Sequence, residues 1–220
     1  IKRFKKKNLF IINKKPLVYW SIKCCLESKL IKYVWVSSDN KKILNIAKKY
    51  GANTILRPWR LSSDNASSDD AWLHAVKHIE KKELIDVIIG LQPTSPIRDK
   101  KDLDNSIKKF FKFKYDSLFS ASSKDTAFSW LINNSDKNIK PNYNYKKRPR
   151  RQELNKEIKE NGSIYIFNKK KFLLFKNRLF GKIGYYMMEK YKGFEIDDIH
   201  DALLVDLILK NKNKFQKIKK

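Results

Sequence analysis

Two cysteines, six glycines, six prolines and three histidines are all that 220 residues contain of those types. Cys24 and Cys25 are adjacent in a helix-like segment, where neighbouring side chains point apart. That disfavours a disulfide between them, and no metal-ligand spacing exists. They read as buried apolar residues in a reducing cytoplasm. The few glycines form no GxGxxG, GK[ST] or GxSxG motif, so the dinucleotide fingerprint, the P-loop and the hydrolase elbow are absent. No apolar run approaches the roughly 18 residues of a membrane span, and no secretory pattern opens the chain. The sequence starts at Ile1 without methionine, so further residues are expected before it.

Arginine is scarce too, at eight of the 50 basic residues, against 23 acidic ones and a net charge of +27. Lysine is spread through every segment together with isoleucine and asparagine, three residues that share A/T-rich codons. A nucleic-acid binder concentrates charge on one face and uses arginine for bidentate contacts. Compositional bias is therefore the preferred account of the charge, and weak attraction to polyanions follows from charge alone. With 41% hydrophobic and 13% aromatic residues the chain can bury a core, which excludes wholesale disorder.

From Pro16 to about residue 122, helix and strand patterns alternate. Pro16–Lys29 predicts a helix with proline at its start, and Tyr33–Val36 a buried strand ending at Ser37-Ser38-Asp39. Asn40 caps a helix that Gly51 ends, and Thr54–Leu56 is a short strand before the loop Arg57–Ser68. A helix over Asp70–Glu83, a strand over Asp86–Leu91, a helix over Lys101–Lys112 and a strand over Ser117–Ala121 follow. This is an α/β pattern with a mostly parallel sheet. The turns Ser37–Asp39, Arg57–Ser68 and Gln92–Arg98 all follow strands, so they should share the carboxyl edge where ligands bind. Beyond residue 122 the rhythm breaks. Asn133–Arg150 reads as a loop, Ser163–Phe167, Tyr185–Met188 and Phe194–Ile196 as strands, and Asp198–Lys210 as a helix.

Several short stretches carry chemistry. On a strand, Glu195 and Asp197 would face one side while Ile196 enters the core, and two carboxylates suit Mg²⁺. The competing reading makes Asp197 or Asp198 a helix cap. Arg148–Arg151 (RPRR) could grip phosphate or carboxylate, or be a solvated loop. Asn161-Gly162 is either a turn or a substrate amide. His74 and His78 lie four apart but lack a third ligand, and His200 reads as structural.

Taken together, these stretches resemble the acylneuraminate cytidylyltransferases, the CMP-sialic acid synthetase family. Arg57–Ser68 (RPWRLSSDNASS) resembles its RP-x-x-L-x-x-D-x-A-S segment, and Leu91–Arg98 (LQPTSPIR) its LQPTSPLR turn. RQELNKEIKENGSIYIF, from Arg151 to Phe167, resembles RQ-x-L…NGAIYI, and FEIDD with Asp201 resembles ID-I-D…D. The resemblance implies one Rossmann-like domain over 1–220, a mostly parallel sheet flanked by helices of the nucleotide-diphospho-sugar transferase type. It also implies a lobe over about 123–190 that binds sugar and a second subunit. The implied reaction joins CTP and a nine-carbon α-keto acid sugar to give the CMP-sugar and pyrophosphate, with Mg²⁺. By the same resemblance Lys7 and Asn8 contact phosphates, and Lys7 and Asp197 are catalytic. Arg57, Ala66 and Ser68 read cytosine, and Gln92, Arg151, Asn161 and Tyr165 hold the sugar. Glu195 and Asp197 bind the metal, and the expected assembly is a cytoplasmic homodimer without membrane or specific nucleic-acid partners.

Three departures accompany the likeness. The family's opening strand and R-x-x-S-K-G phosphate loop stand before KN and have no counterpart here, which leaves open whether these residues alone are active. Glu195 replaces an aspartate, keeping the carboxylate and adding a methylene. Phe128-Ser129-Trp130 stands where sialic-acid enzymes often carry HP-x-K, which favours a related sugar such as legionaminic acid over N-acetylneuraminate. Pseudaminic acid and Kdo enzymes, and an inactive basic scaffold that binds nucleic acid, are the alternatives.

Overall fold

The computed structural model describes residues 7–63, 66–124, 128–133, 135–154 and 156–217. After a hairpin of β1 (Ile11–Ile12) and β2 (Lys15–Pro16), helix α1 (Leu17–Glu27) starts at Pro16, whose φ of −63° is already helical. Then come β3 (Trp35–Ser38), α2 (Lys41–Lys49), β4 (Asn53–Leu56), α3 (Ser68–Ile79), β5 (Val87–Leu91), α4 (Lys100–Lys112) and β6 (Ser117–Ser123). Next come β7 (Trp130–Ile132) and β8 (Ile139–Pro141), which pair antiparallel. The chain continues through β9 (Ile158–Asn168), α5 (Lys169–Phe175), β10 (Ile183–Met187), α6 (Ile199–Lys210) and α7 (Lys212–Lys217).

Local chemistry fixes the helix ends. The Asn40 side chain accepts from the Lys42 amide at 2.9 Å to open α2, and Gly51, at φ +88°, lies just beyond its end. Capping boxes start α4 (Asp99 with Asp102) and α6 (Asp198 with Asp201).

The central sheet runs β10-β6-β9-β5. β10 and β6 pair in parallel, whereas β9 is antiparallel to both β6 and β5, so three of the four strands share a direction. Side chains of β9 alternate between two cores. Ile164 and Ile166 pack with Leu103, Ile107 and Phe110 of α4 and with Cys24 of α1; Tyr165 and Phe167 pack with Val76 of α3 and Phe172 of α5. The β6–β9 register shifts between Phe119 and Ala121, so β9 bulges near residues 161–164.

β3 and β4 form a separate parallel pair. Among the described residues no ladder joins β3 to β5, and a cavity of about 720 Å³ lies between them. The expected strand at Phe194–Ile196 is not one. That segment is irregular and extended, and one amide bond, Ile196 N–H to the Thr94 carbonyl at 2.9 Å, ties it to the 92–98 turn. Ile196 is nonetheless fully buried, so the expectation that it enters the core holds without a ladder.

Candidate active site

The three polar turns do meet. Asn8, Ser37–Asp39, Arg57, Ala66, Ser68 and Gln92 all line the cavity between β3 and β5. Arg57 leaves β4 through an amide bond to Ser38 O at 3.0 Å, and its Nε donates to Ser62 Oγ at 2.8 Å. Burial lowers its pKa, and nearby Asp39 partly offsets that. Ser67 caps α3, accepting from the Asp69 amide at 3.0 Å, which places Ser68 in the first helical turn.

Lys7 and Asn8 bridge this cavity to the acidic segment. While Asn8 faces the cavity, Lys7 Nζ donates to Ile196 O at 3.1 Å and stands 3.6 Å from Asp197 Oδ1. Asp198 takes the cap of α6, accepting from the His200 and Asp201 amides. Asp201 in turn accepts from the Asp197 and Asp198 amides. The capping reading thus applies to Asp198, and the Asp197 carboxylate stays 80% exposed beside Lys7.

Glu195 lies deeper. A Cβ placed on Gly162 would fall 1.9 Å from Glu195 Oε1 and 2.9 Å from Gln92 Oε1, so these two side chains converge over one glycine at φ +61°. Burial raises the Glu195 pKa and the like charge of Asp197 adds to it; Lys159, Lys7 and a hydrogen bond from Ser95 act the other way. A half-buried carboxylate repelled by a neighbouring carboxylate, with lysines at its edge, is a donor set that suits a hard divalent cation. Among the described residues no group of three or more His, Cys, Asp or Glu side chains could hold a metal, so a cation here would need further oxygens, such as those of phosphate.

Beneath the turn lies Arg98, 2% exposed. It donates to the carbonyls of Ser95 and of Gln92 (2.9 Å), and to the hydroxyls of Ser163 (3.1 Å) and Ser21 (2.5 Å). It fixes the backbone that carries Gln92. Neither its depth nor the contribution of Gly162, Lys159 and Lys192 was legible in the sequence. The Asn-Gly pair is the one available clue, and neither a turn nor a substrate amide points to the space that Gly162 leaves for Glu195.

Other sugar-site expectations fall elsewhere. Asn161 is fully buried; its Oδ1 accepts from Ser120 Oγ at 2.5 Å and its Nδ2 donates to Met188 Sδ at 3.3 Å. The carboxamide is committed to the β9 bulge. Tyr165 faces α3, tilted against Trp72 at 5.6 Å, and donates to Glu160 Oε2 at 2.9 Å. Burial and that bond push its phenol up to about 12. Arg151 opens an exposed 3-10 turn after the β7–β8 pair, and Arg148 stacks on Phe128 at 4.0 Å. His78 packs edge-on against Trp35, burial lowers the pKa of His74, and both cysteines are free.

An α/β protein with a cavity lined by its strand-end turns is the class that this sheet defines. The Cytidylyltransferase family model matches residues 2–220, and the chain belongs to that family. N-acylneuraminate cytidylyltransferase A of Danio rerio is 33% identical over 195 residues, which are 87% of this chain and 44% of that protein. CMP-N,N'-diacetyllegionaminic acid synthase of Campylobacter jejuni is 29% identical, covering 96% of this chain and 92% of that one. The chain thus spans under half of the first relative and nearly all of the second. A CMP:2-keto-3-deoxy-manno-octonic acid synthetase solved with CTP has the same fold, with a TM-score of 0.70 at 15% identity over 96% of this chain and 94% of its own.

Proposed function

We propose that the chain is a cytidylyltransferase that condenses CTP with an acidic nine-carbon α-keto sugar, giving CMP-sugar and pyrophosphate. One observation carries this reading: Asn8, Arg57, Ala66 and Ser68, the expected nucleotide contacts, share a cavity with Gln92, and Lys7 spans from beside it to Asp197. The anomeric hydroxyl of the sugar attacks the α-phosphorus, and the bond to the bridging oxygen of pyrophosphate breaks. Negative charge spreads over phosphate oxygens, so positioning and neutralisation supply the rate.

Lys7 faces that charge, and Arg57, the Ala66 backbone and Ser68 hold the base. Gln92 contacts the sugar, and Arg151 pairs with its carboxylate. Asn161 acts through the shape it gives the Gly162 bulge, and Tyr165 through packing beneath it. Glu195 and Asp197 would hold Mg²⁺, which supplies positive charge to the leaving pyrophosphate.

The sugar proposed is of the legionaminic type, on the ground of Phe128-Ser129-Trp130. We further propose a homodimer through the β7–β8 hairpin, where Trp130, Leu131, Ile132 and Ile139 are 45–68% exposed. Pyrophosphate release from CTP should depend on both a nonulosonic acid and Mg²⁺. No turnover across N-acetylneuraminate, legionaminate, pseudaminate and Kdo would refute the function, and a monomer in sedimentation would refute the dimer.

A further inference from the structure

Lys192 is 6% exposed and is the only buried lysine among the described residues of a lysine-rich chain. It lies in the 3-10 turn Lys190–Gly193, immediately before the acidic segment. Its Nζ donates to Asp99 Oδ2 at 3.0 Å and, in a bifurcated contact, to both oxygens of Asp102 at 3.2 and 3.0 Å, so it is held between two carboxylates. Those carboxylates belong to the capping box of α4, which directly follows the 92–98 turn. Asp99 Oδ1 accepts from the Lys101 and Asp102 amides, and Asp102 Oδ2 from the Asp99 amide.

The next residue is equally constrained. A Cβ on Gly193 would lie 2.7 Å from Ser122 Oγ and 2.8 Å from Ser122 Cβ, so this backbone is pressed against β6. The segment from 193 to 197 thus has two moorings to the turn bearing Gln92, namely the Lys192 triad at its start and the Ile196–Thr94 amide bond at its middle. A buried ion pair of this kind is a poor source of net stability, because desolvation offsets much of the attraction. What it does supply is register: an ammonium held between two fixed carboxylates restrains the backbone that carries it.

We propose that Lys192, clamped by Asp99 and Asp102, is a positioning residue that sets where the Glu195 and Asp197 carboxylates stand relative to Gln92 and Lys7, and so sets the affinity of that pair for a divalent cation. This rests on the function proposed above. Groups that orient metal ligands from behind typically account for 10–100-fold in metal affinity, which sets the size of the expected effect.

The test uses the whole chain with Lys192→Met/Asp102→Leu, which removes one charge of each sign. Lys192→Met alone strands two buried carboxylates and serves only as a folding comparison. Mn²⁺ binding in the presence of CTP is read by electron paramagnetic resonance, with Glu195→Gln as control, beside the Mg²⁺ and CTP dependence of turnover. Expected are a folded double variant, Mn²⁺ affinity at least tenfold weaker, a matching rise in half-saturating Mg²⁺, and a KM for CTP within twofold of wild type. A double variant that melts lower but binds Mn²⁺ like wild type, while Glu195→Gln binds weakly, overturns the positioning role and leaves the proposed function standing. Equal Mn²⁺ binding by wild type and Glu195→Gln overturns the metal role of Glu195 and the positioning role with it, while turnover alone decides the condensation.

Discussion

Gly162→Ala probes the closest approach in the site. The added methyl would sit 1.9 Å from Glu195 Oε1, whereas even a tight contact needs about 3.0 Å, so the carboxylate or the bulge must give by roughly 1 Å. The backbone adds its own cost. Gly162 lies at φ +61°, where an L-residue loses roughly 1–2 kcal/mol. With a urea slope of about 2 kcal/mol/M, the backbone cost alone lowers the unfolding midpoint by roughly 0.5–1 M. Turnover should fall further, by about 10²-fold, because a displacement near 1 Å at a reacting centre costs that much. Gly162→Ala/Glu195→Ala removes the collision with Glu195 but keeps the 2.9 Å approach to Gln92 Oε1 and the φ cost. It should recover part of the stability and none of the activity. A Gly162→Ala protein with wild-type midpoint and turnover would refute the convergence of Glu195 and Gln92 over this glycine.

Further outcomes follow from the same geometry. Asp197→Asn should abolish turnover while leaving the urea midpoint unchanged, since its carboxylate is 80% exposed and its nearest cation, Lys7, is 3.6 Å away; retained turnover refutes the metal role. Arg57→Ala should raise the KM for CTP at least tenfold, equivalent to about 1.4 kcal/mol, with a smaller effect on kcat. Glu195 has a pKa raised by burial and by Asp197, so its ionisation in the fold opposes stability: the contribution is favourable below the ordinary glutamate range and lost as pH rises through the elevated value. Glu195→Gln should therefore melt higher than wild type at neutral pH, the difference closing as pH falls below that range. Excess Mg²⁺ should narrow the gap from the wild-type side.

Much of the architecture was readable because its cues are local. Proline before α1, Asn40 before α2 and the alternation of Ile164, Tyr165, Ile166 and Phe167 each act within a few residues. The meeting of the three polar turns followed from strand direction alone. What stayed hidden depends on partners far along the chain. Lys192 is buried only because Asp99, 93 residues earlier, receives it, and lysine by itself reads as solvated surface. Asn161 read as a ligand amide, yet its partners Ser120 and Met188 come from two other strand regions. Phe194–Ile196 had strand composition but found one amide partner rather than a ladder, since β5 is paired to β9 and the 92–98 turn offers one carbonyl.

The separation of β3 from β5 has a consequence for how the molecule opens. The unit of β3, α2 and β4 is held to the rest mainly by side chains of α1, Val18 and Ile22, packed on Ile43 and Ala47, and no backbone bonds link it to the central sheet among the described residues. Its cavity face leaves Trp35 Nε1 and Ser37 Oγ buried without partners. Amide protons of β3 and β4 should therefore exchange through a partial opening of lower free energy than those of β6 and β9, whose release needs the global transition. Arg57 rides on the looser unit and Gln92 on the firmer one. A nucleotide that touches both would slow exchange in β3 and β4 selectively, making the protection pattern a direct record of occupancy.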